Sequence, residues 1–293
     1  MAGGSNGRRR TSRRGGRLRR DVALLRDLRE VDWRRAVSAF RRHQLLTHAG
    51  AIAFRVLVSL VPLVLLGLAL LALLGLEDVW TQTLAPAVEE RVSGPVFQAI
   101  DHSVRRIFRE GSLGLLAFSA LLLLWELYRA VHAITVALNV VHDVEEKRSW
   151  RRRFATGLAL AVAVGGILVA STLVVTTLPR IAGDGPERLV ATAAAWLVAL
   201  ALLGLAAGLL IRFAPAERPQ ARWASAGSFV VVTTWALASL AFGWWAFSVA
   251  SYESAVGSLT VFLFLTFYVL VSSAIFLFGA QLDELAREAA SDG

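Results

Sequence analysis

The sequence has 293 residues, of which 56% are hydrophobic, and a mean hydropathy of +0.58. A soluble fold of this size cannot bury so much apolar surface, so the composition excludes an ordinary soluble domain and predicts an integral membrane protein. The formal net charge of +9 comes from arginine with a single lysine, and the absence of cysteine excludes disulfides, thiolate nucleophiles and cysteine-ligated metals.

The N-terminal segment is strongly basic. Residues 1–20 contain almost no apolar side chains, which predicts a disordered basic cytoplasmic tail. No aromatic residue separates the arginines before Trp33, so binding to anionic lipid headgroups is favoured over binding to nucleic acid. Residues 22–46 repeat apolar side chains every three to four positions, which predicts an amphipathic helix in the inner membrane interface. The first long apolar run begins near Ala49, too late for a cleavable signal peptide.

Six apolar runs follow, each long enough to cross about 30 Å of hydrocarbon as a helix. The first run contains Arg55, and the second carries Glu126 and Arg129 near its end. The sequence therefore predicts an all-α membrane protein, a polytopic bundle of six transmembrane helices in a domain at 21–287, with a cytoplasmic tail at 288–293. The predicted spans are about 49–76, 112–133, 154–179, 189–211, 223–250 and 257–282.

Basic residues set the orientation of these spans. If the N-terminus is inside, 23 of the 31 basic residues lie on the inner side and 6 on the outer side. Because arginine and lysine concentrate in cytoplasmic connections, both termini are predicted to be cytoplasmic. Trp33, Trp150 and Trp223 fall at inner boundaries and Trp80 at an outer one, where amphipathic rings prefer to lie.

The one long outer connection, from Glu77 to Gly111, contains a second amphipathic pattern. Pro95 can begin a helix there, which we expect to lie on the outer membrane surface. The apolar residues that share its predicted face are Val96, Phe97, Ile100, Val104, Ile107 and Phe108.

Ionisable side chains at membrane depth are costly, so each is a candidate site. Arg55 lies about 10 Å from the inner boundary and Glu126 lies at a similar depth, which predicts an ion pair between neighbouring helices. The alternative is that Arg55 reaches the inner interface and Glu126 pairs with Arg129, three residues along the same helix face.

Other polar residues mark the cytoplasmic ends of the second and last spans. They can line an inward-facing polar cavity, but simple solvation at helix ends is the favoured interpretation. The five histidines lack metal-ligand spacing, so no metal or cofactor is expected. The polar candidates are His132, Asn139, His142, Gln281, Asp283 and Glu284.

Proline and glycine indicate where helices bend or pack closely. Pro62 is expected to weaken or kink the first span, and Gly204 with Gly208 forms a GxxxG pattern that permits close helix contact. Neither feature alone indicates transport, and no nucleophile or nucleotide-binding motif supports an enzyme. The third span carries glycines that permit tight packing or a bend at 157, 165 and 166.

Five short segments, taken together, resemble the YihY/BrkB family of bacterial inner-membrane proteins, a family long labelled ribonuclease BN. Two departures are an arginine at Arg55, where the family commonly has an aromatic residue, and Gln281 with Asp283, where it usually has glutamate and asparagine. The segments are Ala51–Leu63, Ala137–Asn139, Arg212–Pro215, Tyr252 with Gly257–Leu259, and Gly279–Asp283.

The resemblance implies a six-helix protein of the bacterial cytoplasmic membrane, from a family associated with virulence, serum resistance and envelope lipid handling. A carrier or flippase for a lipid or amphiphilic substrate is the expected function, with a non-transporting scaffold or regulator as the alternative. Ribonuclease activity is the least favoured, because the sequence shows no cluster of metal-binding histidines and carboxylates.

Overall fold

The computed structural model describes residues 33–90, 94–110, 113–183, 185–217, 226–248 and 255–291. Every regular element in these ranges is a helix, which confirms the predicted all-α class. The predicted tail at 1–20, the first part of the predicted amphipathic helix, Trp223 and Tyr252 lie outside the described residues.

The helices differ greatly in length. In chain order they are α1 (Trp33–Arg42), α2 (Leu45–Leu73), α3 (Glu77–Val79), α4 (Ala85–Glu89), α5 (Gly94–Glu110), α6 (Leu113–Val141), α7 (Trp150–Ile181), α8 (Glu187–Phe213), α9 (Ala226–Ser248) and α10 (Ala255–Ser291), with a π-helical turn at Trp80–Leu84. Of the described helices, α2, α6, α7, α8 and the Phe262–Glu288 part of α10 are long and apolar enough to cross a membrane. The described apolar stretch of α9, Val230–Trp245, is shorter.

Two helices continue well beyond their predicted spans. α6 reaches Val141 rather than ending near residue 133, and α10 reaches Ser291 rather than 282. The sequence boundaries followed hydropathy, which stops where polar residues begin. In α10 the added stretch is rich in alanine, glutamate and arginine, which favour helix. In both helices polar side chains of the added stretch find partners inside the protein.

The long helices pack in a ring. Along it α2 packs on α6, α6 on α7, α7 on α8, α8 on α9, α9 on α10, and α10 returns to α2. The α8–α9 contact is the least extensive of these, and α1 packs across α10 and α2. α6 and α10 also contact each other directly, and their C-terminal ends lie close together.

The buried core lies at one end of the ring, where α2 and α7 begin and α6, α8 and α10 end. We call this the basic end, because α1 and the 142–149 link place their arginines there. Its fully buried side chains include Leu45, Leu138 and Leu277. The long helices are otherwise apolar on the outside, since only 17 to 28% of each membrane-length stretch is buried inside the protein. Outward apolar surface of this extent fits contact with lipid.

A smaller cluster lies at the opposite end. Trp80, Ala85 and Val104 are buried there, which joins α5 to the π-helical turn and to α4. The helix predicted after Pro95 is present as α5. Phe97, Ile100, Val104 and Phe108 of its apolar face belong to this cluster or pack on it, whereas Val96 is 48% exposed.

Trp80 lies at the end of the molecule opposite the basic end, and its ring is enclosed by the protein. It lies inside the small cluster with 4% exposure instead of facing the membrane interface, and its indole Nε1 donates to Asp101 Oδ1 at 3.0 Å. Because the indole N–H is hydrogen-bonded within the protein, the ring does not require a partner in the lipid headgroup region. A hydrogen bond from Arg105 and a second from Trp80 lower the pKa of Asp101.

Candidate functional site

Glu126 is a buried carboxylate in the middle of α6. Its Oε1 accepts a hydrogen bond from Arg129 Nη1 at 3.3 Å, with 8% of the Glu126 side chain exposed against 37% for Arg129. Its other oxygen, Oε2, is buried and has no hydrogen-bond partner among the described residues. Buried carboxylate oxygens are almost always paired, so this unpaired oxygen makes Glu126 a candidate site residue.

The predicted ion pair between Arg55 and Glu126 does not form. Arg55 is half-buried, and its guanidinium lies 5.5 Å from the centre of the Phe54 ring. The two residues lie at different distances from the basic end. Arg55 is ten residues (about 15 Å) from the start of α2 at Leu45. Glu126 is 15 residues (about 22 Å) from the end of α6 at Val141. The structure therefore shows the alternative pairing of Glu126 with Arg129.

Two histidines tie the last helix to the rest of the basic end. His142 Nδ1, at the end of α6, lies 2.6 Å from Glu284 Oε2 in α10, and both side chains are buried, with 4% and 6% exposure. The second Glu284 oxygen accepts from Arg287. His43, between α1 and α2, lies 3.1 Å from Gln281 Oε1, which fits a donor at His43 Nδ1. α10 is thereby held at two points.

A polar clamp joins α6 to the segment after α8. Asn139 Oδ1 accepts from the Ala216 backbone N–H at 2.8 Å, and Asn139 Nδ2 donates to Glu146 at 3.4 Å. Arg148 binds both oxygens of Glu146, at 2.8 and 2.7 Å, and donates to the Ala214 carbonyl at 2.9 Å. We call these residues the Asn139–Arg148 clamp.

The charge of Glu146 is strongly stabilised in this clamp. The side-chain hydrogen bond from Arg148 lowers the pKa of Glu146 to about 2, against the opposing effect of burial, with further help from the Arg148 backbone N–H and from Asn139. Glu146 is therefore ionised at any physiological pH, and the clamp is permanently charged.

The structure decides between the two interpretations of the polar helix ends. Asn139, Gln281 and Glu284 are buried and hydrogen-bonded. The prediction that these side chains are simply solvated at the helix ends is therefore wrong. They bond directly to other protein groups and do not line an open cavity. Asp283 is half-buried beside them.

His132 instead faces a small cavity between α6 and α7. The cavity measures about 10 Å³, which is room for about one water molecule. Tyr128 and Thr156 also line it, together with Arg153, whose Nε is buried and has no hydrogen-bond partner among the described residues. We call it the Arg153 cavity.

The wall of this cavity depends on one glycine. A Cβ built on Gly157 would lie 2.8 Å from Cε2 of the Tyr128 ring, which confirms the close packing expected there. Tyr128 stacks on His132 with ring centres 6.2 Å apart and lies 4.8 Å from Phe154. At Gly204, by contrast, an added Cβ would make an ordinary 3.7 Å contact with Val232.

The family of the chain follows from its sequence profile. The profile described as Virulence factor BrkB matches residues 36–292, which is most of the chain. The chain belongs to the virulence factor BrkB family. No solved structure matches it.

Relatives of this BrkB-family chain carry two kinds of name. The chain is 26% identical over 259 residues to a Bacillus subtilis protein named as ribonuclease-like, YfkH. That alignment covers 86% of this chain and 93% of the relative. The chain is also 25% and 24% identical to proteins named UPF0761 membrane protein, from Chlorobium luteolum and Alkalilimnicola ehrlichii. The alignments cover 83% and 90% of this chain but only 57% and 62% of those longer relatives. Together with its long apolar helices, this identifies a multi-pass membrane protein.

Three of the segments that carry the BrkB resemblance meet at the basic end. Asn139 bonds to Ala216, directly after Arg212–Pro215, and Gln281 of Gly279–Asp283 bonds to His43. Since these segments are far apart in sequence, their meeting identifies the basic end, with Glu126 further along α6, as the candidate site.

Several contacts at the candidate site could not be predicted from the sequence. The pairing of His43 with Gln281 spans 238 residues, and the contact of Arg148 with the Ala214 carbonyl uses a backbone acceptor, which no side-chain pattern reveals. Within the described residues, no group of three or more histidine or acidic side chains is arranged to hold a metal ion.

Proposed function

We propose that this BrkB-family protein spans the bacterial cytoplasmic membrane six times, with both termini inside, and moves a lipid or amphiphilic envelope substrate across it. The observation that carries the proposal is Glu126, a buried carboxylate inside a membrane-length helix with one oxygen unpaired. A protein keeps such a costly group where it binds something during function.

The substrate class follows from the surroundings of Glu126. Only Arg129 pairs with it among the described residues, and the neighbouring helix surfaces are apolar. A carboxylate in apolar surroundings suits a substrate with a small polar or cationic group and a large apolar body, because both parts then find a partner.

Proteoliposomes containing the purified protein test this proposal. The wild type is expected to accelerate movement of a fluorescent lipid between leaflets, and Glu126→Gln to slow it at least tenfold at equal incorporation. Glu288→Gln, an exposed change at the end of α10, serves as the matched control and keeps wild-type rates. Absence of wild-type movement across several lipid classes would count against transport.

The tightly bonded basic end favours a second candidate function, that of a membrane scaffold or regulator. The clamp and the two histidine ties leave the end of α6 held against α10 and α8 without a wide opening between these groups. In this role the basic tail at 1–20 recruits partners or anionic lipid. A pull-down with the full chain and with residues 1–20 removed distinguishes it, because loss of partners from a folded, truncated protein supports the scaffold.

Ribonuclease activity is the least favoured proposal. The ribonuclease-like name belongs to the Bacillus subtilis relative, which is 26% identical. Purified protein free of contaminating nucleases, incubated with RNA, provides the test, and cleavage lost on mutation of a buried polar residue would revive it.

A further inference from the structure

The Arg153 cavity contains a buried guanidinium nitrogen, Nε of Arg153, without a hydrogen-bond acceptor among the described residues. This nitrogen is shielded from solvent. Buried guanidinium donors are nearly always satisfied, most strongly by carboxylate or phosphate oxygens. The cavity itself holds only about one water, so an anion that meets Arg153 must lie at the cavity mouth.

Further cations lie close to Arg153 along the chain. Arg151 and Arg152 are exposed on the first turn of α7, and Lys147 is exposed in the link before it. The carboxylate of Glu146 cannot neutralise them, because Arg148 already occupies both of its oxygens. The two other acids of this link are exposed.

An aromatic strip runs beside these cations. Trp150 is 70% exposed and stacks on Phe154 at 5.8 Å, Phe154 contacts Tyr128 at 4.8 Å, and Tyr128 contacts Trp125 at 5.9 Å. Trp125 is 51% exposed, so both ends of the strip face outward. Aromatic side chains next to basic ones at the end of membrane-length helices are typical of the lipid headgroup level.

We propose that Arg153, with Arg151 and Arg152, binds the phosphate of an anionic phospholipid at the mouth of the Arg153 cavity, with the lipid body lying along the Trp125–Trp150 strip. Free phosphate shares the anionic chemistry but has no use for the strip, which is why a lipid is the favoured source. The site requires that the helices cross a bilayer, but not that the protein transports anything, so it stands if the proposed transport fails.

Native mass spectrometry of the full chain in detergent tests the site with phosphatidylglycerol and phosphatidylcholine as probes. The wild type is expected to retain phosphatidylglycerol in preference to phosphatidylcholine. Arg153→Gln is expected to weaken phosphatidylglycerol binding about fivefold, the loss of one surface cation's attraction. Arg42→Gln removes the same charge from an exposed position on α1 and is expected to bind as the wild type does. Equal weakening by both variants would overturn the site in favour of net charge alone.

Two further experiments distinguish loss of the site from misfolding, and a lipid phosphate from free phosphate. Thr156→Val removes a cavity hydroxyl without changing charge or size, and a twofold or greater loss of phosphatidylglycerol with unaltered phosphatidylcholine supports the site. No effect of Thr156→Val, together with normal binding by Arg153→Lys and Arg153→Gln, would refute it. Displacement of phosphatidylglycerol by millimolar inorganic phosphate would assign the site to free phosphate and overturn the lipid proposal.

Discussion

Two glutamates with different partners illustrate how those partners decide what a charged residue does. Glu146 shares both oxygens with Arg148, and its pKa falls to about 2. Glu126 has a single 3.3 Å bond from Arg129 and one unpaired oxygen. We therefore expect Glu146 to hold the fold together, and we propose a functional role only for Glu126.

The clamp makes a prediction about acid stability. The pKa of Glu146 is depressed from 4.5 to about 2, so its contribution is complete above about pH 4.5 and is lost as pH falls towards 2. Glu146→Gln is expected to lower stability by about 2 kcal/mol at neutral pH, as for hydrogen bonds to charged groups, and to remove this part of the pH dependence.

Thermal unfolding in detergent, measured between pH 7 and 3, checks the clamp prediction. Glu145→Gln is the control, since Glu145 is the exposed neighbour and its change is expected to leave the curve unaltered. If Glu146→Gln kept the wild-type pH profile, the clamp would not stabilise the fold.

At this scale the sequence predicted local contacts better than distant ones. The three-residue spacing of Glu126 and Arg129 was enough to propose their pairing, whereas equal depth wrongly suggested Arg55 as the partner. Depth estimates assume that two helices start level and present matching faces. Neither assumption can be read from one sequence.

At the scale of helices, α6 and α7 meet through Gly157. Gly157→Ala is expected to destabilise the protein by about 1–3 kcal/mol, because the added methyl group meets the Tyr128 ring at 2.8 Å. Gly166→Ala is the matched control, since nothing lies within 4 Å of that position, and it is expected to be neutral or to stabilise the helix by up to about 1 kcal/mol. Melting temperatures of the two variants give the answer, and equal values would exclude close packing at Gly157.

The tie between α6 and α10 makes a separate prediction. Removing one partner of the buried His142–Glu284 pair leaves the other unsatisfied, so His142→Ala or Glu284→Gln alone is expected to cost about 3 kcal/mol or more. The double variant is expected to cost clearly less than the sum of the two. A double-mutant cycle on unfolding free energies measures this coupling, and additive costs would show that the residues act independently.

The helix ends show where element-level prediction stops. The hydropathy pattern located five long helices and α9, but it placed the end of α6 eight residues short of Val141. Asn139 lies in that extension and His132 directly before it, and both look like surface residues by composition. The position of His132 at the cavity and the contact of Asn139 with Ala216 depend on tertiary packing, which hydropathy does not contain.

For the whole molecule, the ring of helices separates two environments. Apolar side chains face outward along the long helices, while the two histidine ties and the Asn139–Arg148 clamp lie at the basic end. The all-helical class and the family follow from composition and short segments. The order of helices around the ring does not, because apolar helices of similar composition offer few distinguishing contacts to a sequence pattern.

The central claim is that the basic end faces the cytoplasm of a six-span protein. The chain has no cysteine, so single cysteines can be introduced without background. Glu145→Cys and Glu217→Cys probe the basic end, and Gln98→Cys and Glu187→Cys probe the opposite end, all at exposed positions.

A membrane-impermeant thiol reagent applied to intact and to permeabilised cells is the most direct measurement. We expect Gln98→Cys and Glu187→Cys to be labelled in intact cells, and Glu145→Cys and Glu217→Cys only after permeabilisation. Labelling of the basic-end cysteines in intact cells, or of Glu145→Cys and Glu217→Cys from different sides, would contradict the account.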